Sequence, residues 1–150
     1  MIETLVRGRA AGAVGVAVRR AVATRLRLAL RALGRARSSV TLVLTDDDEI
    51  RALNRRYRRH DRATDVLSFH LQELAGEQDP AGVGINLGDI VISVETARRR
   101  AAGKRLQAEL DRLAIHGLCH LFGHDHKRAA EAKVMFALER RLRRATGPSP

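Results

Sequence analysis

Apolar and polar residues alternate in two distinct ways along the first third of the chain. Between residues 14 and 33 the apolar residues recur at helical spacing, and Gly34 follows as a stop signal. These apolar positions are Val18, Val22, Leu26, Leu30 and Leu33. Residues 38–45, SSVTLVLT, are instead β-branched and alternating, which predicts a strand. The opening MIETLVRG, residues 1–8, predicts a short first strand.

The middle of the chain predicts one helix and two further strands. Residues 46–58, DDDEIRALNRRYR, open with acidic residues that are suited to capping a helix. The apolar stripe of this helix would consist of Ile50, Leu53 and Tyr57. The segments TDVLSF at 64–69 and DIVISV at 89–94 predict strands. Between them, the Gly-rich segment ELAGEQDPAGVGINLG at 73–88 predicts a mobile loop.

The last third predicts three helices. ETARRRAAGKR at 95–105 is a short basic helix, and LQAELDRLAIHGLCHLFG at 106–123 is a long helix that Gly123 closes. RAAEAKVMFALERRLRRA at 128–145 is the final helix. Because strands and helices do not alternate regularly, the pattern predicts one α+β domain over residues 1–145, with a disordered tail at 146–150.

Composition fits one globular domain and adds a strong positive charge. The chain has 150 residues, is 45% hydrophobic and carries a net charge of +11. Such an excess indicates a phosphate-rich partner such as RNA, DNA or anionic lipid, although an arginine-rich genome would give the same composition. The aromatic residues are Tyr57, Phe69, Phe122 and Phe136. So few aromatics argue against a base-stacking platform and favour recognition of phosphate and shape.

The chain shows neither a membrane span nor a disulfide. Cys119 is the single cysteine, which fits a reducing compartment. Residues 7–23 resemble an export signal, but Arg19 and Arg20 interrupt them where such a signal is uncharged. No stretch approaches the roughly 20 apolar residues that a membrane helix needs. We therefore expect a soluble, cytoplasmic protein with no membrane partner.

Four of the six histidines lie in the segment HGLCHLFGHDH, residues 116–126. His116 and His120 are four residues apart on a predicted helix, so their side chains share one face. Gly123 lets the chain turn, and His126 can return to the same point. This H-x-x-x-H-x-x-G-x-x-H spacing resembles that of metzincin zinc proteases. It predicts one zinc ion per chain with an open coordination position, which is typical of catalytic zinc.

Several roles in this segment stay open. The metzincins use a glutamate after the first histidine as their general base, and Gly117 stands at that position. His124 either adds a fourth ligand or faces solvent or substrate. Asp125 either orients a ligand histidine or stabilises the turn. Cys119 points away from His120 and is interpreted as a small buried residue.

Three motifs resemble those of the YbeY family of bacterial endoribonucleases. They are LNRRYRRHDRATDVLSF at 53–69, LGDIVIS at 87–93 and HGLCHLFGHDH at 116–126. Their order and spacing make the resemblance specific. The chain departs from the family pattern at Ala63 and His70, where the family usually has proline, and at His124, where it has tyrosine.

The resemblance implies a fold, a cofactor and a biological role. It implies one α+β domain with a small mixed β-sheet flanked by helices, including a metal-binding helix, and a Zn²⁺ site from His116, His120 and His126. It implies a zinc-dependent, single-strand-specific endoribonuclease that matures the 3′ end of 16S rRNA and takes part in ribosome quality control. Its expected partners are the ribosomal RNA precursor, the small ribosomal subunit and its proteins, and an assembly GTPase.

Within these motifs we assign catalytic roles to Arg58 and His116. A planar guanidinium can bind two phosphate oxygens, so Arg58 is the expected phosphate contact, with Arg55 and Arg59 as further substrate-binding residues. One solvated arginine patch is the alternative interpretation. The residues Asp65, Ser68 and Asp89 are interpreted as framework, and no general base stands out.

Two other functions compete with RNA cleavage. A zinc peptidase-like hydrolase would use the same metal site, but it requires a base that Gly117 cannot provide. A non-catalytic RNA-binding assembly factor with a structural metal would use the same charge. The open coordination position argues mildly against this second alternative.

Overall fold

The computed structural model describes residues 1–71, 85–123 and 129–149. The strands are β1 (Ile2–Val6), β2 (Ser39–Thr45), β3 (Val66–His70) and β4 (Asn86–Ser93). The helices are α1 (Val16–Ala32), α2 (Asp47–Arg58), α3 (Val94–Ala101), α4 (Leu106–Leu121) and α5 (Ala129–Thr146). A short 3-10 turn, Gly8–Gly12, joins β1 to α1. The predicted element types are thereby confirmed for the described residues.

The four strands form one mixed sheet in the order β1-β2-β4-β3. Strand β2 pairs in parallel with both β1 and β4, whereas β3 pairs antiparallel with β4. The register places Ser68 opposite Ile90 and Phe69 opposite Asp89. Strand β3 is therefore an edge strand, and its alternate side chains point to opposite faces of the sheet. This arrangement confirms the predicted α+β class with a mixed sheet.

Helices α1 and α4 cover one face of the sheet, which we call the covered face, and α5 packs on these two helices. Its core combines the inward side chains of the strands with the stripes of these helices. Fully buried members include Leu26, Leu30, Leu42, Leu44, Ile90, Ile92, Leu113 and Leu118. The predicted stripe of α1 is confirmed, because Val22, Leu26 and Leu30 are buried while Val18 and Leu33 pack at the margin.

Helix α2 packs on the opposite face, which we call the α2 face. Its core is small and centres on Val43, Ile50 and Val91. The predicted acidic cap is present, since the Asp46 side chain accepts a hydrogen bond from the backbone N–H of Glu49 at 3.0 Å.

The predicted apolar stripe of α2 is wrong at its last position. Tyr57 is 51% exposed, because the final turn of the helix extends past the core of this face. Its ring instead meets the Phe69 ring edge-on, with centroids 5.3 Å apart.

The predicted loop at 73–88 ends earlier than expected. Residues 72–84 lie outside the described part of the chain, so the prediction of mobility is untested. Asn86–Ser93 is one continuous strand, so the predicted start at Asp89 is wrong. Gly88 hid this start from the sequence pattern. It has φ +132° and pairs with His70, and a Cβ atom there would collide with the Phe69 carbonyl oxygen.

The C-terminal residues are held by a buried ion pair between α1 and α4. Arg25 Nε lies 3.2 Å from an oxygen of Asp111, and both side chains are buried. Arg25 also donates hydrogen bonds to Thr146 Oγ1 and the Gly147 carbonyl, and Ser149 donates one to Asp111. The predicted boundary after residue 145 stays a prediction.

Candidate active site

Helix α4 presents two histidines one turn apart. Its other side buries Leu110, Leu113 and Leu118 against the sheet and α1, which fixes the rotation of the helix. The Nε2 atoms of His116 and His120 lie 3.2 Å apart, and their rings meet edge-on. Two nitrogen ligands of a tetrahedral zinc, each about 2.0 Å from the metal, stand about 3.3 Å from each other. The two imidazoles therefore have the separation that a shared zinc ion requires.

Glu139 of α5 contacts His116 at Nδ1, the ring nitrogen that does not face His120. Its Oε1 atom lies 2.7 Å from His116 Nδ1. A carboxylate acceptor at Nδ1 favours the tautomer with the proton on Nδ1, in which the lone pair of Nε2 can bind a metal. Such carboxylate partners are the usual support of histidine ligands. Glu139 is thus a candidate for supporting a metal ligand, and the sequence interpretation missed it.

A signal for Glu139 was present in the sequence. It lies on the same helical face as Met135 and Leu142, and all three are buried. A charged residue on the apolar stripe of a helix needs a buried partner. That rule selects Glu139 from an otherwise arginine-rich segment, although it does not identify the partner.

The charge of Glu139 is stabilised by its surroundings. Burial opposes ionisation, but the His116 hydrogen bond and the nearby charges of Arg143 and Arg112 outweigh it. The net effect holds the pKa of Glu139 below its usual range. A carboxylate that stays ionised is suited to hold a histidine whose other nitrogen binds a cation.

The third expected ligand lies beyond the described residues. His126 falls in 124–128, together with His124 and Asp125, so the three-ligand set and the open roles of the last two stay predictions. Within residues 1–71, 85–123 and 129–149, no group of three or more His, Cys, Asp or Glu side chains could hold a metal ion. The described part of α4 therefore supplies a pair of candidate ligands rather than a complete site.

Gly117 marks a close approach between α4 and the sheet. A Cβ atom at this position would lie 2.7 Å from Ile90 Cγ2 and 3.2 Å from Ser68 Oγ. Its carbonyl accepts a hydrogen bond from Ser68 Oγ at 2.9 Å. The absence of a side chain next to His116 is thus a packing requirement, and Ser68 fastens the histidine helix to edge strand β3.

Arg58 lies at the same edge strand. Its Nη2 atom donates a hydrogen bond to the Ser68 carbonyl at 2.7 Å, and its guanidinium lies 5.0 Å from the centre of the Phe69 ring. The side chain is exposed. Ser68 thus contacts Arg58 through its carbonyl and the histidine helix through its hydroxyl. The predicted catalytic residue Arg58 and helix α4, which carries two predicted metal ligands, therefore both contact Ser68.

The neighbouring arginines differ from Arg58. Arg55 and Arg59 are exposed, and Arg59 ends α2 in the left-handed conformation at φ 58°. No side-chain hydrogen bond joins either of them to the described residues. Their predicted role in substrate binding stays a prediction.

Helix α3 carries three consecutive exposed arginines in its last turn. Its arginines are engaged within the chain: Arg99 pairs with Asp47 at 2.7 Å, Arg100 pairs with Asp65 at 2.9 Å, and Arg98 donates to the Ala13 carbonyl. The charges of Arg99 and Arg100 are offset by these two acids. Asp65 thereby has the framework role that was expected of it.

A groove of about 560 Å³ opens on the α2 face, and we call it the sheet-face groove. Its apolar lining includes Leu5, Val43, Phe69 and Val91. Its charged lining includes Arg7, Arg58 and Asp89. Burial raises the pKa of Asp89 above its usual range, with Arg7 opposing the shift and Glu3 adding to it. From the sequence we interpreted Asp89 as a framework residue, and that interpretation did not predict that its carboxyl group lines a groove.

Cys119 is fully buried on the covered face, as predicted. Burial, together with the charge of Glu139, raises the pKa of its thiol to about 12. A thiol that remains protonated at neutral pH is a poor nucleophile and a poor metal ligand. Cys119 is therefore a packing residue.

No helix in the described part of the chain is long and apolar enough to cross a membrane.

Comparison with known proteins supplies an independent line of observation. The family model described as Endoribonuclease YbeY matches residues 14–147. Endoribonuclease YbeY of Anaeromyxobacter dehalogenans (strain 2CP-C) is 49% identical over 120 residues, which cover 79% of this chain and 59% of that protein. Endoribonuclease YbeY of Aquifex aeolicus (strain VF5) is 46% identical over 111 residues, which cover 73% of this chain and 70% of that protein.

A solved structure matches the fold as well. The solution structure of a protein from Thermotoga maritima aligns with a TM-score of 0.65 and 26% identity, over 97% of this chain and 89% of that chain. The match to the Anaeromyxobacter relative spans less than two thirds of that protein's length. The family model nevertheless covers Arg58, strand β3 and helix α4 with its two histidines. The chain belongs to the Endoribonuclease YbeY family.

Proposed function

We propose that this chain is a zinc-dependent endoribonuclease that cuts single-stranded RNA. The observation that carries the proposal is the pair of imidazole nitrogens 3.2 Å apart, one of them oriented by a buried glutamate. Supported histidines of this kind are typical of metal centres. The two relatives named above are endoribonucleases, which agrees with the proposal.

The residues that would hold zinc are His116, His120 and His126. Bound there, zinc would act as a Lewis acid on a phosphodiester and on its attacking group. Glu139 keeps the Nε2 atom of His116 directed toward the site by holding Nδ1. Ser68 keeps the helix at a fixed distance from the edge of the sheet.

Arg58 would bind the phosphate whose ester bond is cut. Its guanidinium is exposed at the edge of β3, where Ser68 and Phe69 orient it. A guanidinium in this position can donate to two phosphate oxygens and stabilise the charge that builds up as the bond breaks.

Peptide hydrolysis is disfavoured by the packing around Gly117. The metzincin base would need a glutamate there, and even a Cβ atom would approach Ile90 Cγ2 to 2.7 Å. The residues that contact the histidine helix therefore leave no room for that base.

We further propose that the RNA substrate is the precursor of 16S rRNA, cut at its 3′ end in the cytoplasm. The small ribosomal subunit with its proteins and an assembly GTPase would then be partners, and ribosome quality control would be the wider role. The support is the family membership together with the net charge of +11, which suits a ribonucleoprotein substrate.

The test is cleavage of single-stranded RNA, double-stranded RNA and casein by the purified protein, with and without chelator. We expect cleavage of single-stranded RNA alone, its loss with chelator and its recovery with added zinc. The His116→Ala variant should lose cleavage, whereas His60→Ala, which alters an exposed histidine at the end of α2, should keep it. RNA binding without cleavage would favour an assembly factor, and casein cleavage would favour a peptidase.

A further inference from the structure

The sheet-face groove is built from residues that the histidine pair does not use. Leu5, Val43 and Val91 project from three neighbouring strands, on the face opposite to the side chains that contact α4. At β3 the Ser68 hydroxyl turns toward Gly117 of α4, while the Phe69 ring turns toward the groove. The two sites are therefore separated by the thickness of the sheet and meet at strand β3, the edge strand among the described residues.

The groove has the size and lining of a small-molecule site. Its volume of about 560 Å³ lies within the range of roughly 300–1,000 Å³ that such sites occupy. Val43 and Val91 are almost fully buried, so the bottom of the groove is fixed by the sheet. The lining is mostly apolar with a few polar groups, which is the usual composition of a site for a flat heterocycle.

The structure brings together aromatic residues that are far apart in the sequence. Tyr57 and Phe69 stand edge to face beside the groove, although the sequence alone argued against base stacking because aromatics are few. One such pair is sufficient for a single base, since stacking acts base by base. Tyr57 is also 51% exposed, which leaves part of its ring available to a ligand.

The charges in the groove select the type of ligand. Arg7 and Arg58 are both exposed and line the groove. Arg7 pairs with Glu49 at 3.5 Å, whereas Arg58 forms no ion pair with the described residues, so Arg58 in particular attracts an anion and repels a cation. Asp89 lines the same groove and is partly buried, and no side-chain hydrogen bond joins it to the described residues. A nucleotide matches this combination, because it joins an anionic phosphate to a flat base whose edge carries N–H donors.

We propose that the sheet-face groove binds one nucleobase of the RNA substrate, adjacent to the phosphate held by Arg58. Asp89 accepts hydrogen bonds from the edge of the base, and this contact favours guanine, whose imino and amino groups present two adjacent donors to a carboxylate. Uracil presents a single donor between two carbonyl oxygens and is disfavoured. The proposal rests on the proposed function, because it concerns the same RNA strand.

The geometry implies a path for that strand. Arg58 is shared by both sites, since it lines the groove and also donates to the Ser68 carbonyl at the edge of β3. An RNA strand that crosses this edge would place a phosphate at Arg58 and a neighbouring base in the groove. A single strand has the freedom to turn one base out in this way, whereas a base in a duplex is stacked and paired.

The first experiment measures binding without cleavage. Guanosine 5′-monophosphate and uridine 5′-monophosphate are titrated into protein with labelled methyl groups, observed by NMR. We expect the guanine nucleotide to shift the methyl signals of Leu5, Val43 and Val91, and to leave Leu113 and Leu118 on the covered face unchanged. The uridine nucleotide should bind about tenfold more weakly. Shifts confined to the covered face would overturn the proposal.

Two variants make the assignment specific. Asp89→Asn keeps the shape of the side chain but replaces one acceptor oxygen with a donor, so it should abolish the guanine preference. Asp61→Asn, the same change at an exposed acid that does not line the groove, should keep it. Thr41→Phe fills the groove from β2 and should reduce nucleotide binding at least tenfold, with folding checked by thermal unfolding. Retained binding in Thr41→Phe, or retained preference in Asp89→Asn, would contradict the proposal.

A second experiment separates this proposal from the proposed function. Single-stranded RNAs with an abasic site at each position around the cut are compared for binding and cleavage. We expect one abasic position, next to the cut, to weaken binding about tenfold. Equal cleavage of all abasic RNAs would overturn the groove assignment and leave the endoribonuclease intact. Absence of any cleavage would overturn the proposed function, and the nucleotide titration would still decide the groove. Methyl shifts with an arginine-containing peptide but with neither nucleotide would assign the groove to a protein partner and overturn the proposal.

Discussion

The two faces of the sheet differ in how they are closed. On the covered face, α1, α4 and α5 build a continuous core in which most large apolar side chains are fully buried. On the α2 face, one helix covers a small core and leaves a groove with three charged residues beside it. Stability is therefore concentrated on the covered face, while the α2 face keeps space for a ligand.

The difference also explains where chemistry can be placed. Rigid packing on the covered face fixes the rotation of α4, so two imidazoles can be held at a metal-binding separation. The open face contributes exposed groups such as Arg58, which can reach a substrate without first displacing protein. Ser68 on β3 joins the two faces, because its carbonyl accepts from Arg58 and its hydroxyl donates to Gly117 of α4.

The largest expected effect is at the three proposed metal ligands. The variants His116→Ala, His120→Ala and His126→Ala should each lose stoichiometric zinc and all detectable RNA cleavage. Metal analysis of the purified proteins checks this, with one zinc per chain expected in the parent. His124→Ala should keep its zinc. Full zinc occupancy in any of the first three variants would refute the three-ligand site.

A pair of leucines compares the two cores directly. Leu26→Ala opens a cavity in the covered face and should lower the free energy of unfolding by about 2–5 kcal/mol. Leu53→Ala, on the half-buried side of α2, should cost clearly less because the site is partly open to solvent. Urea unfolding of both variants gives the two values. Equal losses would remove the stability difference between the faces.

Arg58→Ala tests whether the open face contributes to the chemical step. We expect roughly a 100-fold slower single-turnover cleavage with a much smaller loss of RNA affinity, because the contact acts mainly on the transition state. Lysine should restore the rate poorly, since a point charge cannot make the two-pronged contact. Arg55→Ala and Arg59→Ala serve as controls. Equal, modest losses in all three would favour one solvated arginine patch.

Glu139→Gln should weaken the metal site without removing a ligand. Loss of the carboxylate behind His116 should reduce zinc affinity about 10- to 100-fold. Competition with a chromogenic chelator measures this affinity. The control is Glu131→Gln, which alters an exposed glutamate on the same helix. Unchanged zinc affinity in Glu139→Gln would mean that the contact only joins α4 to α5.

The smallest expected effect is the reactivity of Cys119. Its raised pKa of about 12 and complete burial should make the native thiol inert to a disulfide reagent at pH 8. The thiol should react only when urea unfolds the covered face. Fast labelling of the native protein would show that this core opens far more often than its packing implies.

The sequence predicted the covered face better than the α2 face, for physical reasons. The stripe of α1 and the spacing of His116 and His120 are local patterns that a helix converts directly into one face. Glu139 contacts His116, which lies on another helix and 23 residues earlier in the sequence. The periodicity of a single helix does not reveal such a contact. The groove depends on strand order, and the sequence pattern did not reveal the parallel pairing of β2 with β4, which are separated by the 40 residues 46–85.

Two further misses have the same origin. Tyr57 continues the helical stripe of α2 but lies beyond the small core, since a pattern of residue types does not say where a sheet ends. Gly88 interrupts an apolar run and predicts a loop, yet it is required inside β4 by the closeness of the Phe69 carbonyl. Both errors arise because the sequence pattern of one helix or strand does not show which residues of other elements pack beside it.

The close packing at Gly117 also constrains how this scaffold could change its activity in evolution. A single mutation to glutamate would complete the metzincin pattern, but its first side-chain atom would press on Ile90 and Ser68. Loss of fold stability would therefore precede any gain of a new reaction. A viable route needs smaller residues at positions 68 and 90 beforehand, and the first of these changes would detach the histidine helix from β3. Acquiring the glutamate of the metzincin pattern would thus require coordinated substitutions at positions 68, 90 and 117.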